Sequence, residues 1–552
     1  MSNKNKLLDA IRRASSEREN HIIDEFVAGY IGRRAFLRHA SVAGMALPAA
    51  GAVLGAFGTV FAPAAARAAS SATFRVSTTV PAAAIDPITV ADAGGLLMLQ
   101  QTGEFLANSG SDLVLRPVLA ESWTPNQDGS VWTFKIRKGV KFHNGATMTA
   151  EDVVATIDRL ADPKNASNAL SAFTGVLSKG GAKKIDDETV EFHLDAPNGN
   201  FPYYLSSDNY NAIILPKDYA GGFEQSFIGT GPFKLEKYTP KVGASFTRNE
   251  DYWGPKAVPA RTEFGFYSDI PSQVLALQGH QIDIINQLPM SQGIALVNDP
   301  NVNLISFKCS SHNQVHMRTD MAPFTDKRVR RAVALCLDRE KLVNGLFRGK
   351  AAIGNDSPLA PVFPSTDTSV PQRHLDIAQA KELMAAAGMA NGFTVKLTTE
   401  KYLEIPDYAV IIQNAVKPIG IDIQINVETQ DAYYGKAVFG QSDWLDSVLG
   451  ITDYGHRGVP NVLMAAPLKS DGTWNSAHFK NKDYDSLVTQ YISSADLQTQ
   501  RQIAGKIETL LLDETPVIFA YFYDYMLATA KQATGVQATA MGQLFLANAS
   551  LG

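Results

Sequence analysis

Ten histidines and two cysteines are the residues of this 552-residue chain from which metal or nucleophilic chemistry would have to be built. Only His312 and His316 stand four apart, the spacing that puts two ligands on one face of a helix. In an extended segment the same spacing keeps both on one face but roughly 13 Å apart, too far to share one ion. His143 belongs to a Lys-Phe-His-Asn-Gly turn and reads as structural. HExxH, GxSxG and CxxC patterns are absent. Cys309 follows a strand-like run and Cys336 sits in a helical pattern, so two buried free thiols are favoured over a disulfide. Gly229-Thr230-Gly231-Pro232 lacks the Gly-Lys-Ser/Thr ending of a phosphate loop, and Pro232 removes an amide donor. These residues predict a tight turn into a strand. No catalytic constellation, metal site or cofactor site emerges.

The elements that could position a binding site are clearer. Residues 117–160 organise the chain. Trp132, Phe134 and Ile136 alternate with polar residues at the period of a half-buried strand. Turn residues 126–129 precede that run, and Lys138-Gly139 follows it. Val140 and Phe142 resume the alternation as a second short strand, closed by an Asn144-Gly145 turn. Thr149 and Asp152 then form a capping-box pair for a helix burying Val153, Val154, Ile157 and Leu160. Further strands are predicted at 71–80, 189–194, 282–285, 302–307, 396–398 and 421–427. Helices are predicted at 96–106, 376–387 and, as two meeting at Asp338, 326–349. Alternating strands and helices argue for α/β lobes with mixed sheets.

A chain this long buries more than one core. Hydrophobic residues at 45% and charged residues at 19% exclude a disordered chain or a basic nucleic-acid binder. Residues 1–68 hold nine basic and five acidic residues, leaving 41 basic and 50 acidic, a net of −9, in the remainder. That sign disfavours phosphate backbones and weakly attracts cations.

Residues 1–68 read as an export signal. A charged, polar region ends in Gly32-Arg33-Arg34-Ala35-Phe36-Leu37. An uncharged Ala/Gly-rich run over residues 41–63 and an Ala66-Arg67-Ala68 cleavage site follow. The paired arginines resemble a twin-arginine signal, with Gly32 in place of Ser or Thr. The alternative, a transmembrane anchor, is disfavoured by the weak hydrophobicity of the run. The working protein is then expected in the periplasm.

Leu119-Ala-Glu-Ser-Trp123, the Asp128-Gly129 turn, Thr133-Phe-Lys-Ile-Arg-Lys-Gly-Val-Lys-Phe-His-Asn-Gly145 and Thr149-Ala-Glu-Asp-Val153 occur in that order. This wording resembles the family 5 extracellular solute-binding proteins, the peptide-, opine- and nickel-binding subunits of ABC importers. Residues 228–254 and 329–349 resemble later blocks of the same family, and the likeness spans about residues 73–540. It implies the large, cluster C type of two-lobed periplasmic binding protein fold, with mixed sheets and a hinge of two crossing strands. One crossing is expected near 306–316 and the other near 516–523. The expected division is 69–307 for lobe I, 308–517 for lobe II and 518–552 for the return to lobe I. Such lobes close on a solute by a hinge.

The resemblance also nominates site residues. In peptide-binding relatives a segment D-x-x-D-P-x-N-F supplies an aspartate to the ligand's α-ammonium, and Asp453 matches its first aspartate. Asp453 either does so here or merely starts a turn with Tyr454 and Gly455. His456 and Arg457 fall where the family pattern continues acidic-proline. Arg457 is a candidate clamp for a ligand carboxylate or a solvated charge. Asn313, Gln314 and His316 follow the first crossing and are candidate hydrogen-bonding groups. Trp444 and Tyr454 either stack on the solute or pack a core. The expected protein is a monomeric solute-binding subunit serving a permease and an ATPase. The alternatives are an opine, amine, nickel-chelate or haem binder of the same fold, a signalling receptor on that fold, and a secreted hydrolase.

Overall fold

The computed structural model describes residues 3–56, 72–494 and 496–552. Two α/β bodies are built on separate sheets. A seven-stranded mixed sheet runs in the order Val302–Phe307, Tyr525–Ala530, Ile284–Ile285, Thr73–Thr79, Arg261–Tyr267, Gly243–Arg248, Phe233–Thr239. A five-stranded sheet runs Ile421–Glu428, Phe393–Glu400, Leu449–Tyr454, His312–Met317, Val517–Ile518. The chain passes from the first sheet to the second through residues 308–311 and returns through residues 519–524. The two passages lie side by side: Val315 pairs antiparallel with Ile518, and the Tyr523 N–H donates to the Ser311 carbonyl at 2.9 Å.

Local chemistry explains the pieces. Trp132, Phe134 and Ile136 are all buried on strand Val131–Ile136, the second strand of a four-stranded antiparallel sheet. Thr149 and Asp152 cap helix Ala150–Ala161 reciprocally, the Thr149 N–H donating to Asp152 Oδ2 at 2.7 Å. Asp338 caps helix Arg339–Phe347 after helix Lys327–Leu335 ends. The second short strand expected at Val140 and Phe142 is only a single bridge, Lys141 to Thr147. The Asn144-Gly145 turn folds back too soon for a ladder, yet both apolar side chains are buried. The helix expected at 96–106 is Ala93–Thr102, because the Asp92 carboxylate accepts the Gly95 N–H at 2.9 Å and starts it earlier. Gly229 and Gly231 press on the Thr102 carbonyl, where a Cβ would stand 2.0 and 2.7 Å away. These glycines serve close packing rather than phosphate binding. Cys309 and Cys336 are both free and buried.

Residues 3–56 are helical and packed on both bodies. Helices α1 (Asn3–Ala14), α2 (Glu17–Val27), α3 (Arg33–Val42) and α4 (Leu47–Ala56) share an apolar cluster into which Leu497 inserts. Ser41 Oγ accepts the Leu115 N–H at 2.8 Å, and the Trp123 indole donates to the Ser41 carbonyl at 3.1 Å. Glu25 pairs with Arg501 at 3.5 Å. No helix among the described residues is long and apolar enough to cross a membrane. The expected cleavage site at residues 66–68 lies outside the described residues.

Candidate functional site

Strands Phe393–Glu400 and Leu449–Tyr454 run parallel and adjacent, so their carboxyl ends meet. In open α/β sheets that is where ligands bind. Glu400 and Asp453 stand at those two ends. The Asp453 N–H donates to Glu400 Oε1 at 3.2 Å. On the other side, Asp453 lies opposite Asn313 in the antiparallel pair with His312–Met317. Asn313 Nδ2 donates to Asp453 Oδ1 at 3.0 Å, and the Tyr523 hydroxyl donates to the same oxygen at 2.6 Å. The Tyr521 hydroxyl fixes Asn313 by donating to its Oδ1 at 2.6 Å. Glu400 accepts from the Tyr434 hydroxyl at 2.8 Å and from Gln430 Nε2 at 2.7 Å. Both crossings and the sheet between them therefore converge on two carboxylates.

What these carboxylates lack is a cation. Neither Asp453 nor Glu400 has a Lys or Arg among its hydrogen-bond or ion-pair partners in the described residues. Glu400 is fully buried and Asp453 half-buried. Burial raises the Asp453 carboxyl to about 7, and the charges of Glu400 and Glu404 push the same way, against the Tyr523 and Asn313 hydrogen bonds. A site with this imbalance favours a bound cation, which would let Asp453 stay ionised.

The remaining sequence-nominated residues surround this pair in different roles. Tyr454 stacks on His312, with ring centroids 5.4 Å apart and planes at 12°. Trp444 is buried and meets Tyr434 edge-on at 5.3 Å. The two join Tyr433, Leu445 and Leu463 in one apolar cluster, and Tyr434 links that cluster to Glu400. His316 is buried and bonded through Nε2 to the Ser447 carbonyl at 3.0 Å, and burial drives it down to about 4. Since a carbonyl only accepts, Nε2 carries the proton. His456 accepts the Ser310 N–H through Nδ1 at 3.1 Å and is driven down to about 3, which keeps it neutral and holds the first crossing. Gln314 is buried with its Oε1 unpartnered.

Arg457 is half-buried and stands apart from Asp453. Its guanidinium lies 5.8 Å from the Tyr210 ring. It lines a small pocket of about 30 Å³ between the two bodies with Tyr204, Asp208, Asn209, Tyr210 and Val459. Among the described residues no group of three or more His, Cys, Asp or Glu side chains converges to hold a metal.

Glu400, Tyr434, Tyr521 and Tyr523 were not nominated by the sequence. The signals were available: a charged residue ending a strand-like run at Glu400, and a Tyr-Phe-Tyr triplet at the second crossing.

The family model of the bacterial extracellular solute-binding proteins, family 5 Middle, matches residues 114–453. The chain is 26% identical over 482 residues to the dipeptide-binding protein DppE of Bacillus subtilis, covering 80% of this chain and 85% of that one. It is 24% identical over 437 residues to heme-binding protein A of Haemophilus influenzae, covering 73% and 78%. The crystal structure of a dipeptide-binding protein from Pseudoalteromonas sp. SM9913 in complex with Met-Leu is similar with a TM-score of 0.73 and 20% identity. It covers 87% of this chain and all of that one.

Proposed function

Because the chain belongs to the bacterial extracellular solute-binding proteins, family 5, we propose that it is the periplasmic solute-binding subunit of an ABC importer and captures a peptide or peptide-like solute. The fold is the two-lobed periplasmic binding protein fold of its structural relatives. In this reading the lobes divide near residues 307/308 and 517/518, and the crossings between them are the hinge. The family consists of solute-binding proteins, and this member performs no chemistry on what it carries. A permease and an ATPase receive the solute. The leader directs export by the twin-arginine route, a reading supported by the exposure of Arg33 and Arg34 at the start of α3.

One observation carries the proposal: two buried or half-buried carboxylates, Glu400 and Asp453, meet at the carboxyl ends of parallel strands with no Lys or Arg partner among the described residues. An α-ammonium supplies the missing charge. Asn313 and Tyr523 hold Asp453 towards it, and Tyr434 holds Glu400 while packing on the cluster that contains Tyr454 and Trp444. Arg457, which lines a separate pocket, is our candidate partner for a carboxylate on the solute. An opine, amine, nickel-chelate or haem ligand is the alternative within the fold.

The test is thermal unfolding of the protein against dipeptides, oligopeptides, opines, polyamines and Ni²⁺. A ligand at 100 times its Kd stabilises by about 2.7 kcal/mol. An upshift with amine-bearing solutes that disappears in Asp453→Asn is expected. An upshift that survives this substitution would remove Asp453 from the site. No upshift with any solute would turn attention to a hydrolase and an activity screen.

A further inference from the structure

Helix α3 sends one cationic side chain into the space between the lobes. Arg38 is 4% exposed. Its Nε donates to the Tyr203 hydroxyl at 3.1 Å, one Nη donates to the Gly458 carbonyl, and the other reaches the Val362 carbonyl at 3.5 Å. The guanidinium carbon lies 5.7 Å from the Tyr203 ring centre and 5.4 Å from that of Phe363. Tyr203 belongs to the lobe of the seven-stranded sheet, and Val362, Phe363 and Gly458 to the other. Asp208, 8% exposed, accepts the Gly458 N–H at 2.5 Å and feels the charge of Arg38. The cavity beside Arg457 is lined by the same Tyr203 and Asp208. Asn211, also in its lining, is buried with an unpartnered Oδ1.

This is a guanidinium receptor: carbonyl and hydroxyl acceptors and two aromatic faces in contact, with the Asp208 carboxylate acting on the charge from beyond ion-pair distance. Every part of it belongs to the lobes, while the guanidinium belongs to residues 3–56. Without Arg38 the Gly458 carbonyl loses its side-chain donor, while Tyr203 keeps its bond to the Leu113 carbonyl and Asp208 keeps the Gly458 N–H.

We propose that this socket is a second cation site of the solute cleft, suited to a guanidinium on the solute, and that in the full chain the leader fills it with its own Arg38. The inference rests on the solute-binding reading for its biological use, but its chemistry is tested without it. The full chain therefore carries a built-in competitor, and the socket opens when the leader leaves.

Methylguanidinium is the probe. Arg38→Ala in the full chain leaves a vacancy of that shape. Its unfolding temperature should rise saturably with methylguanidinium in the low millimolar range. The unaltered full chain should show no such rise, and Arg38→Ala/Asp208→Asn should lose it. Methylammonium, lacking the planar fork, should give a smaller shift. If Arg38→Ala fails to fold, Arg38→Gln serves in its place, with methylguanidinium and isothermal calorimetry as the readout. The proposal is overturned if neither variant responds saturably, if the unaltered chain responds equally, or if the response survives Asp208→Asn. Arg38→Ala with Asp453 intact separates the two readings. A saturable methylguanidinium response in that variant, with no response of either it or the unaltered chain to any peptide, keeps the socket and removes the importer assignment. Peptide binding without a methylguanidinium response does the reverse.

Discussion

Two aspartates in this molecule sit among buried side chains and are treated in opposite ways. Asp356 is fully buried and receives Arg339 at 2.8 and 2.9 Å and Arg373 at 2.5 Å. Both arginines are themselves buried or nearly so. Asp453 has a tyrosine, an asparagine and a second carboxylate beside it, and no Lys or Arg partner among the described residues. The first arrangement is closed: its charges are balanced within the fold, and it ties residues 339, 356 and 373 together. The second is open: its charge is held in place, hydrogen-bonded and left unbalanced. Buried charge that the fold completes points to architecture, and buried charge that the fold prepares but does not complete points to a ligand.

The contrast can be broken by substitution. Asp356→Ala leaves two guanidinium groups facing each other without their counter-ion, and should destabilise the protein by about 3–5 kcal/mol in urea unfolding. A loss below 1 kcal/mol would show that the triad is not a structural tie. Asp453→Asn should spare the fold but weaken an amine-bearing solute by about 2 kcal/mol or more, roughly 30-fold, by calorimetry. Without solute it should even stabilise. A carboxyl raised to about 7 takes up a proton on folding between its ordinary value and 7, so its ionised form costs stability above that range. The melting temperature of Asp453→Asn should therefore exceed that of the unaltered chain most at pH 8, with the excess shrinking as pH falls through 7 and vanishing only below about pH 4.

The same titration sharpens the comparison through binding. The α-ammonium pairs with ionised Asp453, so affinity should peak between about pH 7 and 8, falling about tenfold per pH unit below 7 as Asp453 takes up a proton and falling again above about 8 as the ammonium loses one. A profile that stays flat to pH 5 would place the cation elsewhere. Tyr523→Phe removes one of the two side-chain hydrogen bonds to Asp453 Oδ1 and should weaken binding by about 1 kcal/mol, with the pH midpoint moved upward. The corresponding change at the closed triad has no counterpart, because Asp356 is held by charges rather than by neutral donors.

Much of the fold was legible because its signals are local. The Trp132–Phe134–Ile136 alternation, the Thr149–Asp152 box and the Asp338 cap each lie within a few residues, and each appears as read. The short strand at Val140 failed because alternation marks which side chains are buried, not whether a partner strand lies within reach. Asp453 and Asn313 were nominated, by resemblance and by proximity to a crossing. Their direct contact across 140 residues follows only from the register of two strands. Glu400 and Tyr523 were missed because their local signals, a charge ending a strand-like run and an aromatic triplet, mark many ordinary sheet residues and become specific only once the strands are placed side by side. Arg38 was missed for a different reason: a segment read as a disposable leader was not weighed as a partner of the lobes.

The two thiols have a consequence for the protein's itinerary. Cys309 and Cys336 are buried and unbonded, and burial raises them to about 11 and about 12, so neither offers the reactive thiolate. The covalent structure is thus the same in a reducing compartment and in an oxidising one. A chain of this kind can finish folding where it is made and be moved, already shaped, across a redox boundary without any bond being made or exchanged on arrival.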